Sequence, residues 1–414
     1  MSGGALPGVE ALSGVRVVDF SRQMAAPLGT AMLSDFGADV IKIESMPHGD
    51  PSRQTGKSFL GNESALFLMW NRGKRSVAVD LRTSEGMALV RRLVAEADVV
   101  VESYRPGVAD KIGIGYEALK DLNSGLIYCS LSAFGPTGPL AGAPGTDPVV
   151  QALSGVMSTT GEVDGDPLMV GVPIADFTGA HNVVIAVLLG LLARDRTGAG
   201  QKIDVPMLSS LVPALTTRLA SYWADGIDSQ RFGAAHSAVT PYELYHSADG
   251  MVVAGTWAPD AWPKFCEAVG RPSLVDDPRF KTNLDRIEHR AELKEILVAL
   301  FVKRTTAEWA ERFRAAGALF GEVSNISDVV EHPQVAELGV FQKVMHPTVG
   351  ELPQVGPAIL MGSTPGSVRS APPLLGQHTA EVLREAGVAE QELAELSARG
   401  VIGGPDLPEA ASSR

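Results

Sequence analysis

The chain has 414 residues, of which 45% are hydrophobic and 20% charged, and its formal net charge at pH 7 is −13. This length exceeds what one hydrophobic core serves, so we expect two domains in an ordinary globular protein. The acidic balance argues against a general nucleic-acid-binding protein, which needs a basic face, but it permits local basic patches. Cys129 and Cys266 lie too far apart in sequence to suggest a disulfide framework or a metal site, which favours a reducing cytoplasm.

The start of the sequence, MSGGALPGVEALSGVRVVDF, lacks the basic and apolar regions of a signal peptide. The longest apolar run, residues 183–193, is too short to cross a bilayer and is typical of a buried helix. We therefore predict a cytoplasmic protein with neither a membrane nor a nucleic-acid partner.

Short β-branched runs alternate with helical patterns over the first third of the chain. The predicted strands are 14–20, 38–44, 75–81, 98–103 and 126–135, and two of the intervening helices are 25–37 and 83–97. This alternation predicts an α/β fold with a large, doubly wound, Rossmann-like parallel sheet. Such folds bind ligands at the carboxyl ends of the strands, which fall near residues 21–24, 44–46, 102–105 and 132–135.

A second, smaller domain follows from a change of pattern near residue 225. Two alternating runs meet at Asp249 and Gly250, which predicts a hairpin, and polar helices come after it. We expect three segments: the first part of the large α/β domain over 1–220, a smaller α+β domain over 221–328, and a return to the large domain with a C-terminal tail over 329–414. No G-x-G-x-x-G motif follows the first strand, which weakens a nicotinamide-binding interpretation.

One acid, Asp176, stands before the apolar helix that contains residues 183–193. Taken alone, it is best interpreted as a helix N-cap, which contributes about 1 kcal/mol. Its surroundings, GVPIADFTGAH, are small and apolar, and a carboxylate withdrawn from water there is a better nucleophile. Both interpretations stay open at this point.

Two basic clusters fall near predicted strand ends. The first comprises Arg72, Lys74 and Arg75 around Gly73, and the second comprises Tyr104, Arg105 and Lys111. They can fix phosphates, with the Tyr104 ring facing a base, or they can be ordinary solvated turns, and we weigh the two equally. The eight histidines show no metal-ligand spacing, and neither a G-x-S-x-G elbow nor a Walker loop is present, so we predict no metal site.

The chain resembles the class III CoA-transferases of the CaiB/BaiF type, the formyl-CoA transferase and carnitine CoA-transferase family, whose superfamily includes α-methylacyl-CoA racemase. The similarity runs in the family's order from about residue 14 to residue 385. The stretches on which it rests include GVRVVDFSRQMAAPLGTAMLSDFGADVIKIE, NRGKRSVAVDL, ADVVVESYRPGVADKIGIGYEAL, FGPTGPLAGAPGTDPVVQALSG, IADFTGAHNVVIAVLLGLLARDRTGAGQKIDVPML, TPYELYHSADG and PPLLGQHT.

The resemblance implies a site and a chemistry. Asp176 would be the catalytic aspartate that forms acyl-anhydride and CoA-thioester intermediates. The substrates would be coenzyme A or acyl-CoA and a small carboxylic acid, and no cofactor would be tightly bound. The enzyme would be an interlocked homodimer. The residues implied in CoA binding are Met24, Ala25, Asn71, Arg72, Gly73, Lys74, Ser103, Tyr104, Arg105 and Lys111. Several family members have a glutamine in place of Met24 and an arginine near Ser45, and this chain has neither.

The racemase branch is the main alternative. Its histidine and glutamate are replaced here by Thr146 and Ala258, which cannot supply the acid and base that racemisation needs. Transfer is therefore favoured over racemisation or isomerisation, and a catalytically silent CoA-binding protein is a further alternative. Succinyl-CoA is the donor that the resemblance suggests. Residues 229–239 form either a lid that keeps water from the anhydride or a plain linker.

Overall fold

The fold is seen in a computed structural model, which describes residues 10–258 and 260–408. The strands in these ranges are β1 (Arg16–Asp19), β2 (Asp39–Glu44), β3 (Phe59–Leu60), β4 (Glu63–Ser64), β5 (Lys74–Val79), β6 (Val99–Glu102), β7 (Ile127–Ser132), β8 (Gln201–Pro206), β9 (Tyr242–His246), β10 (Met251–Gly255), β11 (Leu319–Glu322), β12 (Phe341–His346), β13 (Gly350–Val355) and β14 (Ile402–Gly403).

The helices connect and cover these strands. They are α1 (Ala25–Asp35), α2 (Ala65–Trp70), α3 (Ser84–Ala95), α4 (Val108–Ile112), α5 (Tyr116–Leu119), α6 (Asp147–Ser154), α7 (Ile174–Thr197), α8 (Met207–Leu211), α9 (Thr216–Asp225), α10 (Ala261–Ala268), α11 (Asn283–Glu288), α12 (Arg290–Phe301), α13 (Thr306–Ala316), α14 (Ile326–Glu331), α15 (Pro333–Glu337), α16 (Thr379–Glu385) and α17 (Glu390–Ala398).

The described chain divides into two compact units. The large unit comprises residues 10–156, 170–219 and 334–408, and the small unit comprises 157–169 and 220–333 without residue 259. The short segment 157–169, which the sequence pattern places in the first domain, belongs to the small unit. The chain returns to the large unit at 334, a few residues after the predicted boundary, because α14 still belongs to the small unit.

A seven-stranded sheet forms the centre of the large unit, in the order β14-β5-β2-β1-β6-β7-β8. All neighbours are parallel except β14, which pairs antiparallel with β5 at one edge. The chain runs outward from β1 to β2 and β5, then crosses to β6 and runs outward through β7 to β8. The order therefore reverses between β1 and β6, and ligands of open α/β sheets bind in the crevice at such a point.

Helices cover both faces of this sheet, as alternate residues of the strands show. Val18 and Val100 pack into one core with α3, α16 and α17, whereas Val17 and Val101 pack into another with α1, α6 and α7. The prediction of a large α/β unit built on a mainly parallel sheet is confirmed. The sequence pattern misses β8 and β14, since β8 is half-exposed and polar and β14 has only two residues.

The long helix α7 packs against α1 and the sheet. In the described part of the chain, it is the one helix long and apolar enough to cross a membrane by length and composition alone. Its buried residues are largely small and recur at helical spacing, as expected for a core helix: Ala175, Gly179, Ala180, Val183, Ala186, Val187, Gly190 and Leu191. A Cβ atom on Gly29 of α1 would lie 2.8 Å from the carbonyl oxygen of Ala180, so the two helices touch through backbone.

The small unit has its own antiparallel sheet, β11-β10-β9, and its own core. The predicted hairpin is present, with β9 paired to β10 and the chain turning at residues 247–250. Aromatic side chains of the helices fill the core, with Tyr245 stacked on Phe301 at 4.3 Å between ring centroids. The sequence pattern misses the third strand, β11, which has only four largely exposed residues.

Candidate active site

The turn after β1 lies at the carboxyl edge of the sheet and is fixed by buried charges. Asp19 at the end of β1 accepts hydrogen bonds from the backbone and hydroxyl of Ser21, and the ammonium of Lys42 donates to the Ser21 carbonyl at 2.8 Å. Lys42 also pairs with Asp50 at 2.8 Å, and Asp50 accepts the backbone N–H of Gln23 at 3.1 Å. Gln23 has a φ of 68°, a left-handed conformation that these bonds stabilise. The turn is therefore rigid where it leads into Met24 and α1.

The end of β6 meets this turn across the crevice. Ser103 Oγ accepts the backbone N–H of Arg22 at 2.9 Å, and the Arg22 guanidinium lies 4.5 Å from the centroid of the Tyr104 ring. Burial raises the pKa of Tyr104, so its hydroxyl stays protonated at neutral pH. Ser103 and Tyr104 are predicted site residues, and Arg22, which the sequence analysis does not single out, lies beside them. The signal was present, since Arg22 follows a predicted strand end.

The predicted contacts at residues 71–74 have a different environment from the one expected. Lys74 is buried, with its ammonium 3.0 Å from Asp19 and 2.9 Å from the side-chain oxygen of Asn71. Arg72 is also buried and forms two hydrogen bonds with Asp35, at 2.6 and 3.0 Å. Burial lowers the pKa of Lys74 to about 8, against the opposing charge of Asp19.

Neither of the two interpretations offered for this cluster describes Arg72 and Lys74. They are not solvated, and they are not free cations, because carboxylates inside the large unit neutralise both. Gly73 is also engaged, as its N–H donates to the Ser370 carbonyl at 3.0 Å. A contact between the Lys74 ammonium and a CoA phosphate would require the pair with Asp19 to open, so the predicted CoA-binding role of Lys74 stays a prediction. Contact by other atoms of residues 71–74 stays a prediction.

Arg105 and Lys111 are the exposed members of the second cluster. Lys111 lies in α4, and Arg105 lines a cavity of about 290 Å³ together with Tyr116, Ser130 and Lys202. Like Arg22, both have no ion pair with any carboxylate in the described ranges. These three cations, rather than Lys74, are free to meet an anionic ligand.

Asp176 occupies the third position of α7, which begins at Ile174. It is not the N-cap, so that interpretation is wrong: Pro173 holds the cap position, and the side chain that accepts first-turn N–H groups comes from α6. Asp147 Oδ1 accepts the N–H of Ala175 at 2.7 Å and that of Asp176 at 3.4 Å. Burial, and then the charge of Asp147, raise the pKa of Asp176 to about 7.

The first turns of α7 lie against the start of α1. A Cβ atom on Gly179 would lie 3.7 Å from the Cβ of Ala25, and Gly179 is one helical turn after Asp176. The packing of these helices thus brings Asp176 to the end of α1 where Met24 and Ala25 follow the rigid turn. The structure gathers three parts of the predicted site at one edge of the sheet: the turn after β1, the end of β6 and the first turn of α7.

The candidate lid, residues 229–239, is attached within the small unit. Arg231 donates to the carbonyl of Glu162 at 3.1 Å, and Ala235 forms an isolated bridge with Glu243. His236 stacks on Tyr242 with 5.5 Å between ring centroids. A lid and a linker are both compatible with these contacts, so this function stays a prediction.

Residues 12–379 match CoA-transferase family III. A mouse protein named succinyl-CoA:glutarate CoA-transferase is 38% identical over 90% of this chain and 86% of its own length. An Agrobacterium fabrum protein named succinate–glutarate CoA-transferase is 37% identical over 92% and 96%, respectively. A CaiB/BaiF family protein from Brucella suis has a crystal structure that superimposes with a TM-score of 0.82, at 36% identity, over 91% of this chain and 100% of that one.

The chain belongs to CoA-transferase family III, as its resemblance predicts. It is an enzyme that transfers CoA between an acyl-CoA and a carboxylic acid, and CoA thioesters are its substrates.

Proposed function

We propose that this enzyme transfers CoA from succinyl-CoA to a short dicarboxylic acid such as glutarate. Support comes from the relatives in mouse and Agrobacterium fabrum, whose names state this pair of acids. Their similarity extends over at least nine-tenths of this chain, and the family match over residues 12–379 includes Asp176 and the β1–α1 turn. A dicarboxylic acceptor also resembles the donor's own acid, so one acyl site serves both halves of the reaction.

The reaction is proposed to pass through covalent intermediates on Asp176. The Asp176 carboxylate attacks the thioester carbonyl, and the C–S bond breaks. The CoA thiolate departs, and the acyl group stays bound to Asp176 as a mixed anhydride. The thiolate then attacks the aspartyl carbonyl, which expels succinate and forms an enzyme-bound CoA thioester. An acceptor carboxylate attacks that thioester, and the released thiolate takes the new acyl group from the second anhydride. Asp176 returns as a carboxylate, with no net proton uptake.

The observation that supports this role is the environment of Asp176. It is a partly buried carboxyl group whose pKa of about 7 sets it apart from an exposed aspartate. A carboxylate that is poorly solvated and basic is a better nucleophile, and a pKa near neutrality leaves its anionic form populated at neutral pH. Activity is therefore expected to fall as the pH drops below 7, because the protonated acid cannot attack.

We further propose that the nucleotide end of CoA lies along the crevice between β1 and β6. Arg22, Arg105 and Lys111 would meet its phosphates, and the Tyr104 ring would lie beside the base. The support is that these cations are exposed and have no ion pair in the described ranges, that Arg22 and Arg105 each follow a strand end, and that Lys111 lies in α4. The thioester end would then extend toward the start of α1 and Asp176.

Trapping the covalent intermediate tests this mechanism. The enzyme is incubated with succinyl-CoA and hydroxylamine but no acceptor acid, and its peptides are mapped by mass spectrometry. Hydroxylamine attacks the aspartyl thioester, releases CoA and leaves a hydroxamate, so an adduct is expected on Asp176 only when donor is present. Asp176→Ala is expected to lose the adduct and all measurable transfer while it still binds CoA within a few-fold.

Asp195→Asn, an exposed acid near the other end of α7, is the matched control and keeps both adduct and transfer. An adduct on another acid, or no adduct from a donor shown to turn over, would refute the covalent mechanism. More than a few per cent of activity in Asp176→Ala would refute the role of this residue.

We also propose that the enzyme acts as a homodimer in the cytoplasm. An apolar strip on α7 supports a second copy: Ile185, Leu189 and Leu192 are each more than half exposed. Ile185 and Leu189 line a groove of about 510 Å³ beside the edge strand β8. An apolar face of this kind is typical of an interface rather than of a free surface.

Two free, buried cysteines are in keeping with a reducing compartment such as the cytoplasm.

A further inference from the structure

Two side chains of α6 hold the segment that contains Asp176. Asp147 and Gln151, one helical turn apart, are 8% and 1% exposed. Asp147 Oδ1 accepts the N–H groups of Ala175 and Asp176, and its Oδ2 accepts the side-chain N–H of Gln151 at 2.7 Å. Gln151 Oε1 in turn accepts the N–H of Val170 at 2.9 Å. The pair thus ties down both the first turn of α7 and the chain that leads into it.

An aspartate at this position introduces electrostatic repulsion that a neutral capping residue would not. A serine or asparagine at the position of Asp147 would also accept N–H groups at a helix start. Asp147 instead brings a second negative charge close to Asp176, in a place that is partly shielded from water. Two carboxylates that approach each other repel, and the repulsion is strongest where solvent screens it least.

Other charges do not offset this repulsion. On α7 itself, His181 is exposed and its ring lies tilted against that of Phe177, and the remaining charged residues lie in the last turns. On β8, Lys202 pairs with Asp204 at 3.1 Å. On α1, the one charged residue is Asp35, which pairs with Arg72, and α8 has none. Burial is therefore the first cause of the raised pKa of Asp176, and the negative charge of Asp147 is the second.

We infer that Asp147 is a positioning residue that also drives acyl transfer, because its fixed negative charge destabilises the free Asp176 carboxylate relative to the neutral anhydride and thioester. This inference rests on the proposed covalent role of Asp176. Repulsion exists while Asp176 is an anion, disappears when either covalent intermediate forms, and returns at the end of the cycle. A residue that lowers the free energy of both intermediates relative to the free enzyme accelerates attack without touching the substrate.

The pH dependence distinguishes charge from scaffolding. The negative charge of Asp147 favours the protonated form of Asp176, which raises its pKa, so removing that charge lowers it. The acid limb of kcat/KM reports ionisation of the free enzyme and should move with it to lower pH. A side chain that acted only by holding α7 in place would change the height of the profile and leave its midpoint where it was.

Three variants of the full-length enzyme are compared, with succinyl-CoA and glutarate as substrates. Asp147→Asn keeps an oxygen for the α7 N–H groups but loses the charge. We expect its acid limb to move down by about one pH unit and its plateau to fall several-fold. Thr146 is exposed and precedes Asp147, so Thr146→Lys leaves the hydrogen bonds of Asp147 in place and adds a positive charge. This charge should also lower the pKa of Asp176 and move the acid limb to lower pH. Gln151→Ala loosens the attachment but keeps the charge, so it should lower the plateau alone.

The wild-type enzyme is labelled with hydroxylamine in the same series. If Asp176 is labelled and the acid limb is unmoved in both Asp147→Asn and Thr146→Lys, the role of the Asp147 charge is refuted while the covalent mechanism stands. Thr146→Lys supplies this answer even if Asp147→Asn does not fold. A limb that also moves in Gln151→Ala would assign the effect to position instead. If Asp176 is not labelled at all, the covalent mechanism itself fails, and this inference fails with it.

Discussion

Several charged residues of the large unit are buried and paired, although their sequence positions suggested exposed side chains. Lys42 and Lys74 are each less than 2% exposed, and each is neutralised by an aspartate, Asp50 and Asp19 respectively. Breaking a buried pair by removing one partner costs about 3–5 kcal/mol, because the other charge stays buried. Substituting Lys74 by alanine would therefore test the stability of the large unit rather than CoA binding. The exposed cations are the appropriate test of binding.

Arg22→Gln and Lys111→Ala are each expected to raise KM for the CoA thioester several-fold and to leave kcat nearly unchanged. Contacts to the remote nucleotide are the same in the ground state and the transition state, so losing them weakens binding uniformly. The effect should shrink as salt is added, since exposed charges are screened. Steady-state kinetics at low and high ionic strength provide the measurement. Arg92→Gln, an exposed arginine on α3 away from the crevice, is the control and should match wild type. An unchanged KM in both test variants would show that these residues are ordinary solvated cations that do not bind CoA.

At the scale of elements, the contact between α1 and α7 decides where Asp176 lies. Glycines permit the two helices to approach closely, since Gly29 of α1 lies against the backbone of α7 and Gly179 of α7 lies near the Ala25 side chain. The closeness matters because α1 begins at the rigid turn after β1, and α7 begins near Asp176. Separating the helices would move the carboxylate away from the end of the sheet, and displacements of an ångström can lower a reaction rate about a hundredfold.

Gly29→Ala tests this packing. Its Cβ atom would lie 2.8 Å from the Ala180 carbonyl and 3.1 Å from the Val183 side chain, so α7 must shift. We expect a loss of about 1–3 kcal/mol of stability together with a lower kcat. Gly362→Ala, where nothing lies within 4 Å of the new atom, is the control for adding a methyl group. Thermal unfolding and transfer assays are compared for the two variants. A wild-type kcat in Gly29→Ala would contradict the claim that this contact between α1 and α7 places Asp176 for catalysis.

At the scale of the whole molecule, exposed apolar side chains are grouped on two helices of the large unit. Ile185, Leu189 and Leu192 form a strip on α7, and Val149 and Leu153 are exposed on α6. Isolated apolar side chains are normal on a surface, but grouped ones on one helix mark an interaction site. A second copy of the chain is the proposed occupant.

Light scattering after gel filtration tests the assembly. The wild-type protein is expected at twice its chain mass of 43.5 kDa, and Leu189→Glu combined with Leu192→Glu should shift it to the mass of one chain. The reason is that two buried, unpaired carboxylates would oppose the interface. Leu284→Glu, at a similarly exposed leucine on the small unit, provides a control and should leave the mass unchanged. A wild-type protein that elutes at 43.5 kDa would contradict the proposed dimer.

The sequence by itself determined the family and the strand-helix alternation, and it predicted the edge of the sheet where ligands bind. These follow from local periodicity and from stretches such as IADFTGAHNVV, which need no knowledge of distant contacts. The strands around Val17, Val40 and Val100, the helices α1 and α3, and the hairpin at Asp249 are all legible in this way. Short or polar edge strands were missed, because β8 and β11 obtain their conformation from pairing with neighbours rather than from their own pattern.

The tertiary structure alone decided which ionisable groups are available to a ligand and which stabilise the fold. Lys74 and Lys111 look alike in sequence, yet one is paired with Asp19 inside the large unit and the other is exposed. Asp147 precedes Asp176 by 29 residues, and nothing in that spacing indicates that one carboxylate holds the helix of the other. Desolvation and Coulomb interaction depend on distance and burial, and both are set by packing among α1, α6 and α7 that no local pattern records.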